Sequence, residues 1–316
     1  GAMRNKGAEK ASIEAALSEI NTRQCSPPLP DSEVKAIAGS ISRYEPSTAV
    51  EAKPKPECSP FGFKNLCDVD PEAIEWRWYP YIPRGKFTLL EGDPGLGKSW
   101  ICCAISTALT LGHKLPNSNS LCEGNVLICS AEDGIADTIK PRLLRMGAKD
   151  DCVYAISELF TLDDNGFSRL DKTIALMAPL LVIIDPLVAY LSATMDINKA
   201  NQARYATARL QALAEKWGCA VLGVRHTTKA TNIKAIYRGL GSIDFSAAAR
   251  SILFVGADPD DDNNRAIVHV KSNLAEKGEP VGYEIRDGSF YWKQTTDLNY
   301  DKINAVPEQE RRTPSP

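Results

Sequence analysis

Phe87-Thr88-Leu89-Leu90-Glu91-Gly92-Asp93-Pro94-Gly95-Leu96-Gly97-Lys98-Ser99-Trp100 decides how the rest of the chain is read. An apolar strand runs into a loop matching GxxxxGK[ST], and an apolar helix follows from Ser99. Glycines let the backbone curl so that its N–H groups point at phosphate oxygens, and the helix N-terminus adds its partial positive charge. Lys98 is placed to reach the β- and γ-phosphates, and the Ser99 hydroxyl to ligate Mg²⁺. Residues Gly92 through Trp100 are therefore the expected nucleotide-binding residues, with ATP and Mg²⁺ as cofactors.

Outward from that loop, strands alternate with helices. Apolar strands are expected at Lys86–Leu90, Asn125–Cys129, Leu180–Ile184, Ala220–Val224, Ser251–Val255 and Ala266–Val270. Helices are expected at Ser99–Leu111, Ile135–Met146, Leu170–Ala178 and Asn201–Lys216. Continuous apolar strands separated by helices imply an α/β fold, a mostly parallel sheet with helices on both faces. Gly282–Trp292, turning at Asp287-Gly288, reads as an antiparallel hairpin on the sheet edge. The aromatic stretch Trp76–Pro83 should pack on this domain.

Residues 1–44 read as a small helical hairpin, opened by Gly1-Ala2-Met3, which has the look of a cleavage scar. Its first helix, Ala11–Thr22, carries Ile13, Leu17 and Ile20 on one face. The second starts at an Asp31 or Ser32 cap and aligns Val34, Ile37, Ala38 and Ile41. The Pro-rich stretch 45–60 reads as a linker, 61–295 as the catalytic domain and 296–316 as a disordered tail.

Three further strand ends carry chemistry. Leu180-Leu-Val-Ile-Ile184-Asp185 places a carboxylate where open α/β sheets gather their ligands, and Asp185 is expected to hold a Mg²⁺-bound water. Val126-Leu-Ile-Cys129-Ser-Ala ends in the adjacent acids Glu132 and Asp133. A general base is needed at such a point; Glu132 is preferred, with Asp133 shaping the loop. Ala220–Val224 runs into Arg225-His226-Thr227-Thr228-Lys229, and His226 is expected to sense the γ-phosphate.

The ordered set GDPGLGKS, SAED, LVIIDPL, RHTTK and YRGLGS…AAAR resembles the RecA-like ATPases related to the hexameric plasmid helicase RepA and the DnaB helicases. The resemblance covers about 61–292 and implies a RecA-like P-loop core. It implies that Glu132 activates water, Asp185 serves Mg²⁺ and His226 senses phosphate. It also implies an arginine finger on the neighbouring subunit's nucleotide, matching Arg238; because Arg238-Gly-Leu-Gly-Ser242 is longer than a plain RGS, Arg250 is a rival. Loops 189–204 and 227–238 would line a ring's channel, offering Lys199, Arg204, Lys229 and Lys234 to single-stranded DNA. RQCSPPLPDSEVKAIAGSISRYEP resembles the helical module ending plasmid and phage primases, so a primase–helicase of a mobile element is implied. The leading expectation is a replicative helicase working as a homo-oligomer, a hexamer by resemblance, with a fused or associated primase. A RecA-like regulatory ATPase acting on a protein, without unwinding, is the alternative, and a small-molecule kinase comes third.

Composition agrees with that reading. The 316 residues are 43% hydrophobic, and 37 basic against 40 acidic side chains give a net charge of −3. A generally basic nucleic-acid-coating protein is excluded, whereas a local basic channel is not. No apolar run approaches the roughly 20 residues of a membrane span, and nine irregularly spaced cysteines suit free thiols in a reducing cytoplasm.

Overall fold

Successive side chains of a strand point to opposite faces of its sheet, so a wholly apolar strand must feed two cores. The computed structural model shows this directly; it describes residues 3, 8–44, 65–191, 200–227, 243–293 and 296–305. The expected linker 45–60 lies outside the described residues, as do Lys199, Lys229, Lys234 and Arg238. The chain separates into two compact units, Gly1–Pro71 and Glu72–Pro316, so the second begins later than the expected residue 61.

The first unit contains α1 (Lys10–Gln24) and α2 (Asp31–Ser42). Two helices bury only a narrow seam, here Ile13, Val34 and Ala38, while Ile20 (49%) and Ile37 (38%) remain exposed. The broad apolar faces expected for both helices are thus only half used. Asn21 occupies the seam where Ile20 was expected: its amide nitrogen donates to the Leu29 carbonyl (2.9 Å) and its oxygen accepts from the Leu29 N–H (2.8 Å). These bonds fix the Pro-rich turn. The cap expected at Asp31 or Ser32 is Pro30, without a side-chain bond; Asp31 and Glu33 instead place negative charge in the first turn.

In the second unit a short ribbon, β1 (Trp76–Trp78) with β2 (Ile82–Pro83), precedes the sheet. The sheet strands are β3 (Phe87–Gly92), β4 (Val126–Ser130), β5 (Val153–Ile156), β6 (Leu181–Asp185), β7 (Ala220–His226), β8 (Ser251–Asp258), β9 (Asp261–Ser272), β10 (Val281–Arg286) and β11 (Ser289–Trp292). Their order is β11-β10-β9-β8-β3-β7-β6-β4-β5. The run from β8 to β5 is parallel, and β9, β10 and β11 add an antiparallel wing.

Helix α3 (Lys98–Leu111) covers one face together with the Trp78–Tyr81 ribbon and the wing, over Leu90, Val126, Ile128, Ile183 and Leu222. Helices α5 (Asp164–Met177) and α6 (Ala200–Trp217) cover the other, over Leu89, Leu127, Val182, Ile184 and Val221. Trp78, Tyr81 and Ile82 are fully buried, so the aromatic entry segment does pack on this unit.

Several boundaries differ from expectation for local reasons. Between Gly134 and Met146 a single helix was expected; the structure has a π-helical turn, Ile135–Ile139, and then α4 (Lys140–Arg145). Pro141 lacks the N–H that a regular helix would bond back to Asp137, and the widened turn absorbs the loss. Helix α5 starts well before Leu170, capped by Asp163, whose side chain accepts from Gly166 N–H; Gly166, a poor helix former, hid that first turn. The edge strand β5 was missed because its four residues are mostly half-buried rather than apolar throughout. The Asp287-Gly288 hairpin is present, with φ of 52° and 67° as such a turn requires. Part of the expected disordered tail is ordered: Leu298 is buried, and α7 (Ile243–Ala248) and α8 (Tyr300–Ile303) complete the helices, with Tyr300 against the Phe254 ring at 5.2 Å.

Candidate nucleotide-hydrolysis site

The C-terminal ends of β3, β7, β6 and β4 lie side by side, with Gly92 paired to His226 and Ser130 paired to Asp185. The expected residues of four separate sequence segments therefore meet along one crevice. The P-loop rises from β3, and Gly97, at φ 87°, caps α3 in the left-handed region. A Cβ there would collide with the Ile285 Cδ1, so backbone conformation and close approach both require glycine.

The Lys98 ammonium is buried and donates to the Gly92 and Asp93 carbonyls, both at 2.8 Å. Burial lowers its pKa, opposed by the Asp185 and Asp93 carboxylates. The Ser99 hydroxyl donates to Asp185 Oδ2 at 2.8 Å. Burial pushes the Asp185 carboxyl up to about 6; Asp133 and Glu132 push the same way, while the Ser99 bond and Lys98 oppose them. An oxygen pair of this kind beside a phosphate loop suits a hard cation such as Mg²⁺.

Glu132 and Asp133 separate in role. The Glu132 carboxylate is 63% exposed and lies 3.9 Å from His226 Nε2. Asp133 is held by Arg142 Nη1 at 2.7 Å, and its backbone is bonded at both N–H and C=O to the Ser130 hydroxyl. His226 Nδ1 is buried without a partner, and burial, then Lys98, lowers the ring's pKa. Next to it, Thr227 donates its hydroxyl to Asp93 and its N–H to the Gly92 carbonyl (3.3 Å), joining β7 to the P-loop.

Other expected residues lie apart. Arg250 is exposed at the start of β8, where its N–H donates to the Phe87 carbonyl (2.9 Å), at the far end of β3 from Gly92. Arg204 is paired with Asp244 at 2.5 Å, which offsets its charge.

Sequence reading missed three features here. Tyr283 of β10 donates its hydroxyl to the Leu96 carbonyl (2.5 Å), and with Ile285 it braces the P-loop from the antiparallel wing. Their i, i+2 spacing on one strand face was the available signal. Glu91 and Arg225, the residues just before Gly92 and His226, form an ion pair with 0% and 1% side-chain exposure, and Arg225 also donates to Ser246 (2.7 Å) on α7. Finally, Arg142 lies 4.7 Å over the Trp100 ring as well as on Asp133.

Comparison with known proteins gives this crevice a family. Residues 54–232 match the AAA domain family. The chain belongs to the AAA domain family. Residues 1–47 of this AAA protein match the primase C-terminal 1 domain. Similar proteins include DNA repair protein RadA of Listeria monocytogenes, 31% identical over 46% of this chain and 28% of RadA. RadA of Bacillus subtilis is 29% identical over 48% and 30%, and RadA of Halalkalibacterium halodurans 28% over 60% and 36%. The chain thus spans about a third of the length of these relatives. The solved ATPase domain of a DnaB-like helicase superposes with a TM-score of 0.52 at 14% identity, covering 65% of this chain and 84% of that one. The expected α/β, RecA-like core with an antiparallel C-terminal addition is borne out, and so is the resemblance to helicase-type and primase-associated sequences. Among the described residues no helix is long and apolar enough to cross a membrane.

Proposed function

We propose that this AAA-family ATPase domain is the motor of a replicative DNA helicase, which hydrolyses MgATP between subunits of a ring and translocates on single-stranded DNA. One observation carries the reading: a complete hydrolysis crevice and a primase C-terminal module occupy the same chain. Residues Gly92 to Trp100 cradle the phosphates, and Lys98 leaves the loop carbonyls to follow the β- and γ-phosphates. Ser99 and Asp185 hold Mg²⁺, the latter through a bound water, which neutralises charge on the phosphates. Glu132, whose carboxylate is not held by an arginine, takes the proton of the attacking water. His226, between Lys98 and Glu132, responds to loss of the γ-phosphate. Arg238 supplies the finger to the neighbouring subunit, with Arg250 as rival. Lys199, Lys229 and Lys234 contact the DNA backbone, and Arg204 joins them only when its pair with Asp244 opens.

Measuring ATPase rate and native mass, each with and without single-stranded DNA, tests the proposal. DNA-stimulated hydrolysis by a ring-sized assembly is the expected result. Hydrolysis indifferent to DNA would leave a regulatory ATPase, and full activity as a monomer would exclude the intersubunit site.

A further inference from the structure

Glu132 and Asp133 are adjacent acids on one turn, yet only one can serve as the base, and something must hold the turn so that the same one always faces the phosphates. The turn is fixed on both sides of Glu132. Upstream, the Ala131 N–H donates to the Asp185 carbonyl at 2.9 Å, tying the turn to β6. Downstream, Asp133 is bonded through its backbone to Ser130 and through its carboxylate to Arg142 at 2.7 Å. The Arg142 guanidinium carbon also lies 4.7 Å from the centre of the Trp100 ring. Trp100 directly follows Ser99 on the P-loop helix.

We propose that Arg142 is a positioning residue for hydrolysis, bridging the base-bearing turn to the P-loop helix so that Glu132 is aimed at the phosphates. Arg142 belongs to α4, an element with no other part in the crevice. Its planar cation can satisfy a carboxylate at its edge while its face rests on an aromatic ring; a lysine ammonium cannot do both equally well. The turn, the P-loop helix and α4 thus share one side chain. Misplacement of a reacting group by about 1 Å costs up to about 10²-fold in rate, so a bridge of this kind acts on turnover rather than on nucleotide capture.

The proposal rests on Glu132 as the general base. The test compares Arg142→Ala, Arg142→Lys, Asp133→Asn, the Arg142→Ala/Asp133→Asn double variant and Glu132→Gln in the full chain, reading steady-state ATPase and calorimetric ADP affinity. Arg142→Ala should lower kcat by about 10–100-fold while ADP affinity stays within about twofold. Arg142→Lys should recover part of the loss. The double variant should be no slower than the slower single one, because both remove one bridge. An unchanged kcat for Arg142→Ala, beside a dead Glu132→Gln, would overturn the proposal alone. An active Glu132→Gln would remove the base assignment and the proposal with it. Equal losses of kcat and ADP affinity would make Arg142 a support of the nucleotide pocket and overturn the positioning role. Should Arg142→Ala fail to fold, Asp133→Asn decides: it leaves the cation on Trp100 but frees the turn, and normal turnover there would also overturn the proposal.

Discussion

With its carboxyl raised from 3.8 to about 6, Asp185 binds a proton more tightly in the folded chain than in the unfolded one. A raised carboxyl contributes stability while protonated and loses it as pH rises from about 4 through about 6. Thermal melts of the nucleotide-free protein should therefore show Tm falling across that interval from this group, and Asp185→Asn should flatten the slope. A slope unchanged in the variant would assign it elsewhere. Mg²⁺ competes with the same proton, so its half-saturating concentration for ATP hydrolysis should rise as pH drops below about 6. The buried Glu91–Arg225 pair obeys a different rule. Burial pushes the Glu91 carboxyl up and Arg225 holds it down, so each charge is tolerated only beside the other. Arg225→Ala should cost about 3–5 kcal/mol in urea denaturation, and an apolar replacement of both residues much less. Equal losses for the single and double variants would show that the pair contributes through packing alone.

Elements from opposite ends of the second unit meet at the P-loop. Gly97→Ala should weaken ATP binding at least about tenfold, because it needs a left-handed backbone and drives a methyl group onto Ile285. Ile285→Ala should relieve the contact but not the backbone, so a calorimetric titration of the pair should recover only part of the affinity. Full recovery would mean that the contact alone demanded glycine. This is also where sequence legibility ended. The strand–loop–helix around Lys98 and the strand-end acid Asp185 could be read because each is local and set by a short motif. Tyr283, Ile285 and Arg142 could not, since their work depends on contacts with residues far away in sequence. β5 escaped for a further reason: a short, half-exposed edge strand leaves no continuous apolar run to count.

For the whole molecule, the proposed ring makes a reciprocal demand. A finger on the transferring phosphate is typically worth about 10³–10⁵ in rate. If Arg238 acts across a subunit boundary, Arg238→Ala starves its neighbour, whereas Glu132→Ala kills only its own site. Each variant alone should be inactive, and mixing them with subunit exchange should restore part of the ATPase by pairing intact Glu132 with intact Arg238. Silence despite demonstrated co-assembly would place the finger in cis or at Arg250. Replacing Lys229 and Lys234 with Ala should weaken single-stranded DNA binding and flatten its salt dependence while basal ATPase persists; an unchanged salt slope would put the DNA elsewhere.

The brace from β10 to the P-loop has a consequence for how the protein is made. Leu96 and Gly97 leave the ribosome long before Tyr283 and Ile285. At about 5–20 residues per second the interval is roughly ten to forty seconds. During that time β3, α3 and the acids of β4 and β6 exist in the nascent chain while the loop still lacks its support from the wing. Nucleotide capture then becomes a late event in biosynthesis, and a chain stalled before residue 281 has a full P-loop motif without the tyrosine that steadies it.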